Sequence, residues 1–262
     1  MQLGICADLA TLASLPSPFT GDYFLEVFVQ EFLQPETADD AFVAHAAPWL
    51  ARGYRLPASN RFLPADLKVV GTDVDYARLD RYAETAFRRA KAIGMNLVVF
   101  GSAGARMVPA GFPISKAFEQ YVDVLRQLGP LAEEHGVTLV VEPLNRGECN
   151  LVNTVLEGAE AVRRANSGGV KLLVDIFHML RNGESADDIA KVGPIIRHAH
   201  VAEDKDRAAP GEHGENFRPF LRALRRTGYT GALTIEATWT DLARQTAPAL
   251  ASLRGQLRDS GY

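Results

Sequence analysis

Thr138-Leu139-Val140-Val141-Glu142 is a short, largely apolar run closed by a carboxylate, and its pattern returns three times further along the chain. Leu172-Leu173-Val174 runs into Asp175, Ile195-Ile196-Arg197-His198-Ala199 into His200, and Ala232-Leu233-Thr234-Ile235 into Glu236. The intervals between the closing residues are 33, 25 and 36 residues, each about one strand plus one helix of a repeating β/α chain. If every run is a buried parallel strand, the four closing residues gather on one rim. Three carboxylates and one imidazole there would make a divalent-metal site.

Working outward, eight strand-like segments can be placed: Leu3–Cys6, Tyr23–Val29, Gly53–Ala58, Asn96–Phe100, Thr138–Glu142, Lys171–Asp175, Ile196–Val201 and Ala232–Glu236. Most are continuous apolar runs, as expected of parallel strands buried on both faces. Amphipathic stretches lie between them at Leu79–Ile93, Phe118–His135, Asn153–Ala165 and Phe217–Arg226. Gly94, Gly136, Gly168-Gly169 and Gly228 stand just past helical stretches, where glycine supplies the left-handed residue that ends a helix. The 262 residues approach the roughly 250 of one (β/α)8 barrel. The expected fold is therefore α/β, a single TIM-barrel domain over 1–262. A doubly wound open sheet is the alternative, but no Gly-x-Gly-x-x-Gly follows a strand. Three long loops, Asn60–Tyr76, Gly101–Ile114 and Ala202–Glu215, each follow a strand. Each would lie on the C-terminal face, where barrel sites are built.

A net charge of −4 implies no basic surface, so no nucleic-acid partner is expected. No stretch approaches the roughly 18 consecutive apolar residues of a membrane span, and no basic-then-apolar leader opens the sequence. Cys6 and Cys149 do not make a disulfide framework. These features point to a reduced cytoplasmic protein without a membrane partner; a homo-oligomer is left open.

Singly, a carboxylate ending a strand reads as a helix cap, and His200 as a hydrogen-bonded core histidine. Together, at barrel spacing, they need another account, because clustered carboxylates repel unless a cation neutralises them. Mostly oxygen donors plus one nitrogen favour Mn²⁺, Mg²⁺ or Co²⁺ over a thiolate-type zinc site.

Glu142-Pro143-Leu144-Asn145-Arg146-Gly147-Glu148, Asp175-Ile176-Phe177-His178-Met179, His200-Val201-Ala202-Glu203 with Arg207, Pro210 and Gly211, and then Glu236 resemble the D-tagatose/D-allulose (psicose) 3-epimerase group. That group belongs to the xylose-isomerase-like sugar (phosphate) isomerase/epimerase superfamily. The likeness covers the C-terminal 60% or so of the chain. It implies one divalent metal, Mn²⁺ first, bound by Glu142, Asp175, His200 and Glu236. It implies Glu142 and Glu236 as the acid/base pair, and Glu148, His178 and Arg207 as contacts to a sugar or sugar-phosphate substrate. Arg207 stands seven residues after His200, one more than the usual pattern.

The chemistry agrees with those roles. A chelated cation polarises the carbonyl and stabilises the enediolate, an effect of several kcal/mol. Strands five and eight lie three apart, nearly across the barrel mouth, so one glutamate can remove a proton from one face and the other return one to the opposite face. Each positioned acid or base contributes about 10²–10⁴-fold. The expected activity is epimerisation next to a ketose carbonyl. An aldose–ketose isomerase like hydroxypyruvate isomerase and an inosose-type dehydratase are the alternatives on the same site. An endonuclease IV-like enzyme is disfavoured, since its three-zinc cluster needs more histidines than the six present, of which His45, His135 and His213 miss the strand ends.

Secondary candidates remain open between two readings. His178 reads as a loop tether or a substrate contact, and Glu148 as a turn cap or a substrate contact. Gly101-Ser102-Ala103-Gly104-Ala105-Arg106 reads as a flexible strand exit or as an anion cradle in which Arg106 holds a phosphate. Trp49 and Phe62 read as packing residues, and Phe112 and Trp239 as packing or pocket walls. The pairs Arg88-Arg89 and Arg225-Arg226 read as solvated helix faces.

Overall fold

The computed structural model describes residues 1–262. Eight strands carry the architecture: β1 (Gln2–Cys6), β2 (Phe24–Phe28), β3 (Ala58–Asn60), β4 (Leu97–Phe100), β5 (Thr138–Val141), β6 (Val170–Asp175), β7 (Ile196–Val201) and β8 (Ala232–Ile235). Each pairs in parallel with the next, and β8 closes on β1. The longer helices are α1 (Asp39–Leu50), α2 (Tyr76–Ala92), α3 (Ile114–Glu134), α4 (Val155–Ala165), α5 (Arg218–Arg226) and α6 (Leu242–Asp259). The TIM barrel expected from the repeat is the fold observed. No helix is long and apolar enough to cross a membrane.

Two apolar regions form. One of 74 residues fills the space between strands and helices. The other, Phe24, Ala58, Leu97, Val99, Val140 and Leu173, is small and lies inside the barrel, where alternate strand residues point. Phe24 fits because β1 offers Gly4 beside it; a Cβ there would lie 2.3 Å from the ring. The same alternation carries upward. Two residues beyond Val140 and Leu173 stand Glu142 and Asp175, and His198, His200, Thr234 and Glu236 take inward positions on or just past β7 and β8.

Four local expectations change. The third strand is Ala58–Asn60, not Gly53–Ala58: Gly53 sits in a turn at φ 79° and Pro57 has no N–H to give a ladder. Arg89 does not lie on a solvated face. It is buried and donates to the carbonyls of Leu33 (2.8 Å) and Thr37 (2.6 Å) and to Asp39 (2.8 Å), satisfying a loop that has no ladder of its own. Asn166, not the Gly168-Gly169 pair, takes the left-handed position after α4. The Gly101–Ile114 loop contains a helical turn, Ala103–Arg106. Gly94, Gly136 and Gly228 do adopt positive φ.

Candidate metal and substrate site

Strand alternation brings the four rim residues together. Ligand atoms of Glu142, Asp175, His200 and Glu236 all lie within 4.8 Å of one another. His200 Nδ1 is 3.2 Å from Glu142 Oε1 and 3.1 Å from Glu236 Oε2. The two glutamates, expected nearly across the mouth, therefore reach inward from strands three apart until their oxygens are neighbours. Asp175 ends β6 and caps the turn after it: its Oδ1 accepts from the N–H groups of Phe177 (2.7 Å) and His178 (3.4 Å). Its Oδ2 is buried without any hydrogen-bond partner; His178 Nε2 stands 3.6 Å and the Arg207 guanidinium 4.0 Å away, both too far to satisfy it. An orphaned buried carboxylate oxygen is costly, and this one faces two more carboxylates. The residues therefore fit a hard divalent cation taking mostly oxygen donors.

The pair of glutamates is electrostatically unequal. Burial raises the proton affinity of Glu142, and the nearby Glu236 charge adds to it, against the lowering contact with His200. Burial acts on Glu236 too, but Arg207 and His200 outweigh it and hold its pKa down to about 2. Burial opposes charge on His200, yet Glu26 and the hydrogen bonds to Glu142, Glu236 and Glu26 push its pKa well above the usual histidine range.

A cavity of about 310 Å³ opens above the cluster. Its walls include Glu142 and Glu236 but neither Asp175 nor His200. The other sequence candidates, Glu148, His178 and Arg207, also line it. His178 is at once a tether and a wall: its Nδ1 accepts from the backbone N–H of Asn145 at 3.2 Å, which leaves Nε2 to carry the hydrogen. Glu148 accepts from Asn145 Nδ2 at 2.8 Å. Arg207 lies 4.6 Å over the Phe177 ring and donates to Glu236 Oε2 at 2.7 Å. Asp206 and Arg207 are both left-handed, at φ 60° and 48°, which turns the chain back over the site. The loop's other anchor is Glu203, whose carboxylate accepts from the N–H groups of Gly211 (2.7 Å) and His213 (2.6 Å). Larger hollows of about 400 and 570 Å³ lie elsewhere and contain none of the four clustered residues.

The anion-cradle reading of Arg106 fails. Its side chain is fully buried and donates to the Glu142 carbonyl at 2.7 Å, so it braces the end of β5. Phe112 and Trp239 do not wall the cavity; Trp239 instead donates to the Cys6 carbonyl at 2.9 Å.

Sequence reading missed Asn60, which donates to Glu236 Oε1 at 2.8 Å, and Arg61, which lines the cavity with its guanidinium 3.9 Å over the Phe28 ring. It also missed Glu26, fully buried beneath the site. Its Oε2 is 2.8 Å from His198 Nε2 and accepts from the Thr234 hydroxyl at 2.9 Å; its Oε1 is 3.0 Å from His200 Nε2. A lone charge inside Phe24-Leu25-Glu26-Val27-Phe28, and a histidine two positions before His200 on the same strand face, were the available signals.

Comparison with known proteins places these residues in context. A family model described as a xylose isomerase-like TIM barrel matches residues 71–256. A D-psicose 3-epimerase of Agrobacterium fabrum is 32% identical over 127 residues, 47% of this chain and 44% of that protein. An inosose isomerase of Bacillus licheniformis is 30% identical over 126 residues, 44% of this chain and 45% of that protein. The chain thus spans under half the length of these curated relatives. The crystal structure of a D-allulose 3-epimerase from Methylomonas sp. in complex with D-allulose superposes with a TM-score of 0.80 at 21% identity, covering 98% of this chain and 97% of that one. At that identity the likeness speaks to the fold.

Proposed function

We propose that this chain, which belongs to the xylose isomerase-like TIM barrel family, is a divalent-metal-dependent epimerase that inverts the carbon next to a ketose carbonyl. One observation carries the reading. Of the four clustered residues, only the two glutamates face the cavity; Asp175 and His200 lie outside its lining. That arrangement supports a double role for Glu142 and Glu236, holding a cation and meeting a substrate carbon. A cation held by Glu142, Asp175, His200 and Glu236 would supply Lewis-acid polarisation of the carbonyl, worth several kcal/mol. Mn²⁺ is the metal we propose, with Mg²⁺ and Co²⁺ suited to the same donors.

The chain's own residues do the proton chemistry. One glutamate removes the proton from one face of the carbon, and the other delivers a proton to the opposite face. In the metal-free site Arg207 and His200 favour an ionised Glu236, whereas burial raises the proton affinity of Glu142. A cation beside both would favour ionisation of both, so the pair must carry one proton between them for the step to balance. After one inversion the two have exchanged protonation states, so the reverse reaction is ready at once. Glu148, His178 and Arg207 would hold hydroxyls of the chain, His178 donating from Nε2.

Relatives named as 3-epimerases and as inosose isomerases match similar shares of the chain. A cyclic keto-polyol is therefore the second substrate reading, with the same proton transfer. For a phosphorylated substrate the cation to consider is Arg61, which, unlike Arg207, has no carboxylate partner in the cavity. The test is a panel of ketoses, ketose phosphates and inososes incubated in deuterated water with Mn²⁺. Epimerisation should leave solvent deuterium at the inverted carbon. Deuterium at an adjacent carbon with an aldose product would instead show an isomerase, and no turnover of any member would reject the reading.

A further inference from the structure

We infer that Glu26 is a positioning residue for the metal site: it fixes His200 in the form that carries hydrogen on Nε2 and presents Nδ1 toward Glu142 and Glu236. The inference rests on the metal-site reading above. Glu26 lies in the middle of β2, inside the barrel and fully buried. No lysine or arginine reaches it; its ion-pair partners are the imidazoles of His198 and His200. An ionised carboxylate only accepts, so each of its three neighbours must donate. His200 Nε2 at 3.0 Å, His198 Nε2 at 2.8 Å and the Thr234 hydroxyl at 2.9 Å must all point hydrogen at it. The far side of the His200 ring then has a single job. Nδ1 meets two carboxylate oxygens, at 3.2 and 3.1 Å, to which it too donates while no cation is bound. A cation at the cluster would take the place of that hydrogen, while Glu26 keeps the one on Nε2. Without Glu26, a neutral His200 would turn its one hydrogen toward the two glutamates, where it competes with the cation.

A buried carboxylate with no fixed cation beside it is expensive to keep as packing alone. A carboxylate donated to by the far nitrogen of a metal-binding histidine commonly accounts for 10–100-fold in metal affinity. His198 and Thr234 share the second oxygen of Glu26, so they hold the carboxylate rather than His200.

The test is calorimetric titration of metal-free protein with Mn²⁺. Glu26→Leu, with Glu26→Gln in parallel in case the first folds poorly, should raise the Kd by about 10–100-fold. His198→Phe removes a partner of Glu26 but leaves its contact with His200, and should change the Kd by less than about threefold. In the ¹H–¹⁵N spectrum of the Mg²⁺-loaded wild type, His200 should show a slowly exchanging hydrogen on Nε2 and none on Nδ1. Equal weakening by the Glu26 and His198 variants, unchanged affinity in both Glu26 variants, or a hydrogen on Nδ1 would each overturn the inference. Failure of the wild type to bind Mn²⁺ at all would instead sink the metal-site reading beneath it.

Discussion

Gly101 offers a way to disturb the proposed acid/base pair without touching either member. It lines the cavity, and a Cβ on it would lie 2.0 Å from Glu142 Oε2 and 3.2 Å from Glu142 Cδ. Ordinary contact begins near 3.4 Å, so in Gly101→Ala that oxygen must move about 1.4 Å, the difference between those two distances. Glu142 has little slack, being buried with its other oxygen against His200. Misplacement of a reacting group by about 1 Å can cost about 10²-fold, or about 2.7 kcal/mol of barrier. Stability should change far less. Gly101 is not held at positive φ; alanine gains about 0.4–1 kcal/mol by restricting the unfolded chain, and a strained glutamate rotamer costs about 0.5–1.5 kcal/mol. The expected variant melts within a few degrees of wild type while kcat for epimerisation falls about a hundredfold. A folded Gly101→Ala protein with wild-type kcat would refute the placement of Glu142 at the reacting carbon.

Chelation should abolish turnover, and Mn²⁺, Co²⁺ or Mg²⁺ should restore it and raise the Tm, since a ligand of the folded state stabilises it; full activity in a demonstrably metal-free preparation contradicts this. Arg106→Ala should destabilise by about 3–5 kcal/mol in chemical denaturation, through a cavity and unsatisfied carbonyls. It should also fail to distinguish phosphorylated from free sugars, because Arg106 is sealed from the cavity side. In metal-free protein, the raised His200 pKa makes its ion pairs stabilising below the usual histidine value of about 6.5, a contribution lost as pH climbs through the raised value. Glu142, also raised, acts in the same direction. The metal-free Tm should therefore fall as pH rises above about 6.5, and saturating Mg²⁺ should flatten that slope; a metal-free Tm that rises on the same titration would show the sign to be wrong.

The parts of this molecule that were legible from sequence are those where strand alternation and chain position coincide. Glu142, Asp175, His200 and Glu236 each close an apolar run, and a parallel barrel turns that one-dimensional pattern into a ring. The third strand was placed too early because its inward residues are Ala58 and the polar Asn60, whereas the apolar residues before them belong to a lead-in broken by Pro57. Arg106 and Arg61 show the limit on cations. Both follow strands, and only the fold reveals that the first turns under β5 to a carbonyl while the second stacks over Phe28 inside the cavity. Arg89 was read from its helix alone, whereas its partners come from a loop more than fifty residues earlier. Glu26 was hidden by its own surroundings, since a run of apolar neighbours reads as core until alternation shows it sharing an interior with His198 and His200.

The central claim is that Glu142 and Glu236 work as a proton-transferring pair on opposite faces of one carbon. Its most direct measurement is turnover and solvent-hydrogen exchange for Glu142→Gln and Glu236→Gln, on the substrate found in the deuterium panel, with metal occupancy determined for each sample. Each substitution keeps a carbonyl oxygen for the cation and removes one proton-transfer group. At equal occupancy, epimerisation should fall by at least about two orders of magnitude in both, while the remaining glutamate still exchanges substrate hydrogen with solvent on its own face. Near-normal epimerisation by either variant at full occupancy would contradict the account.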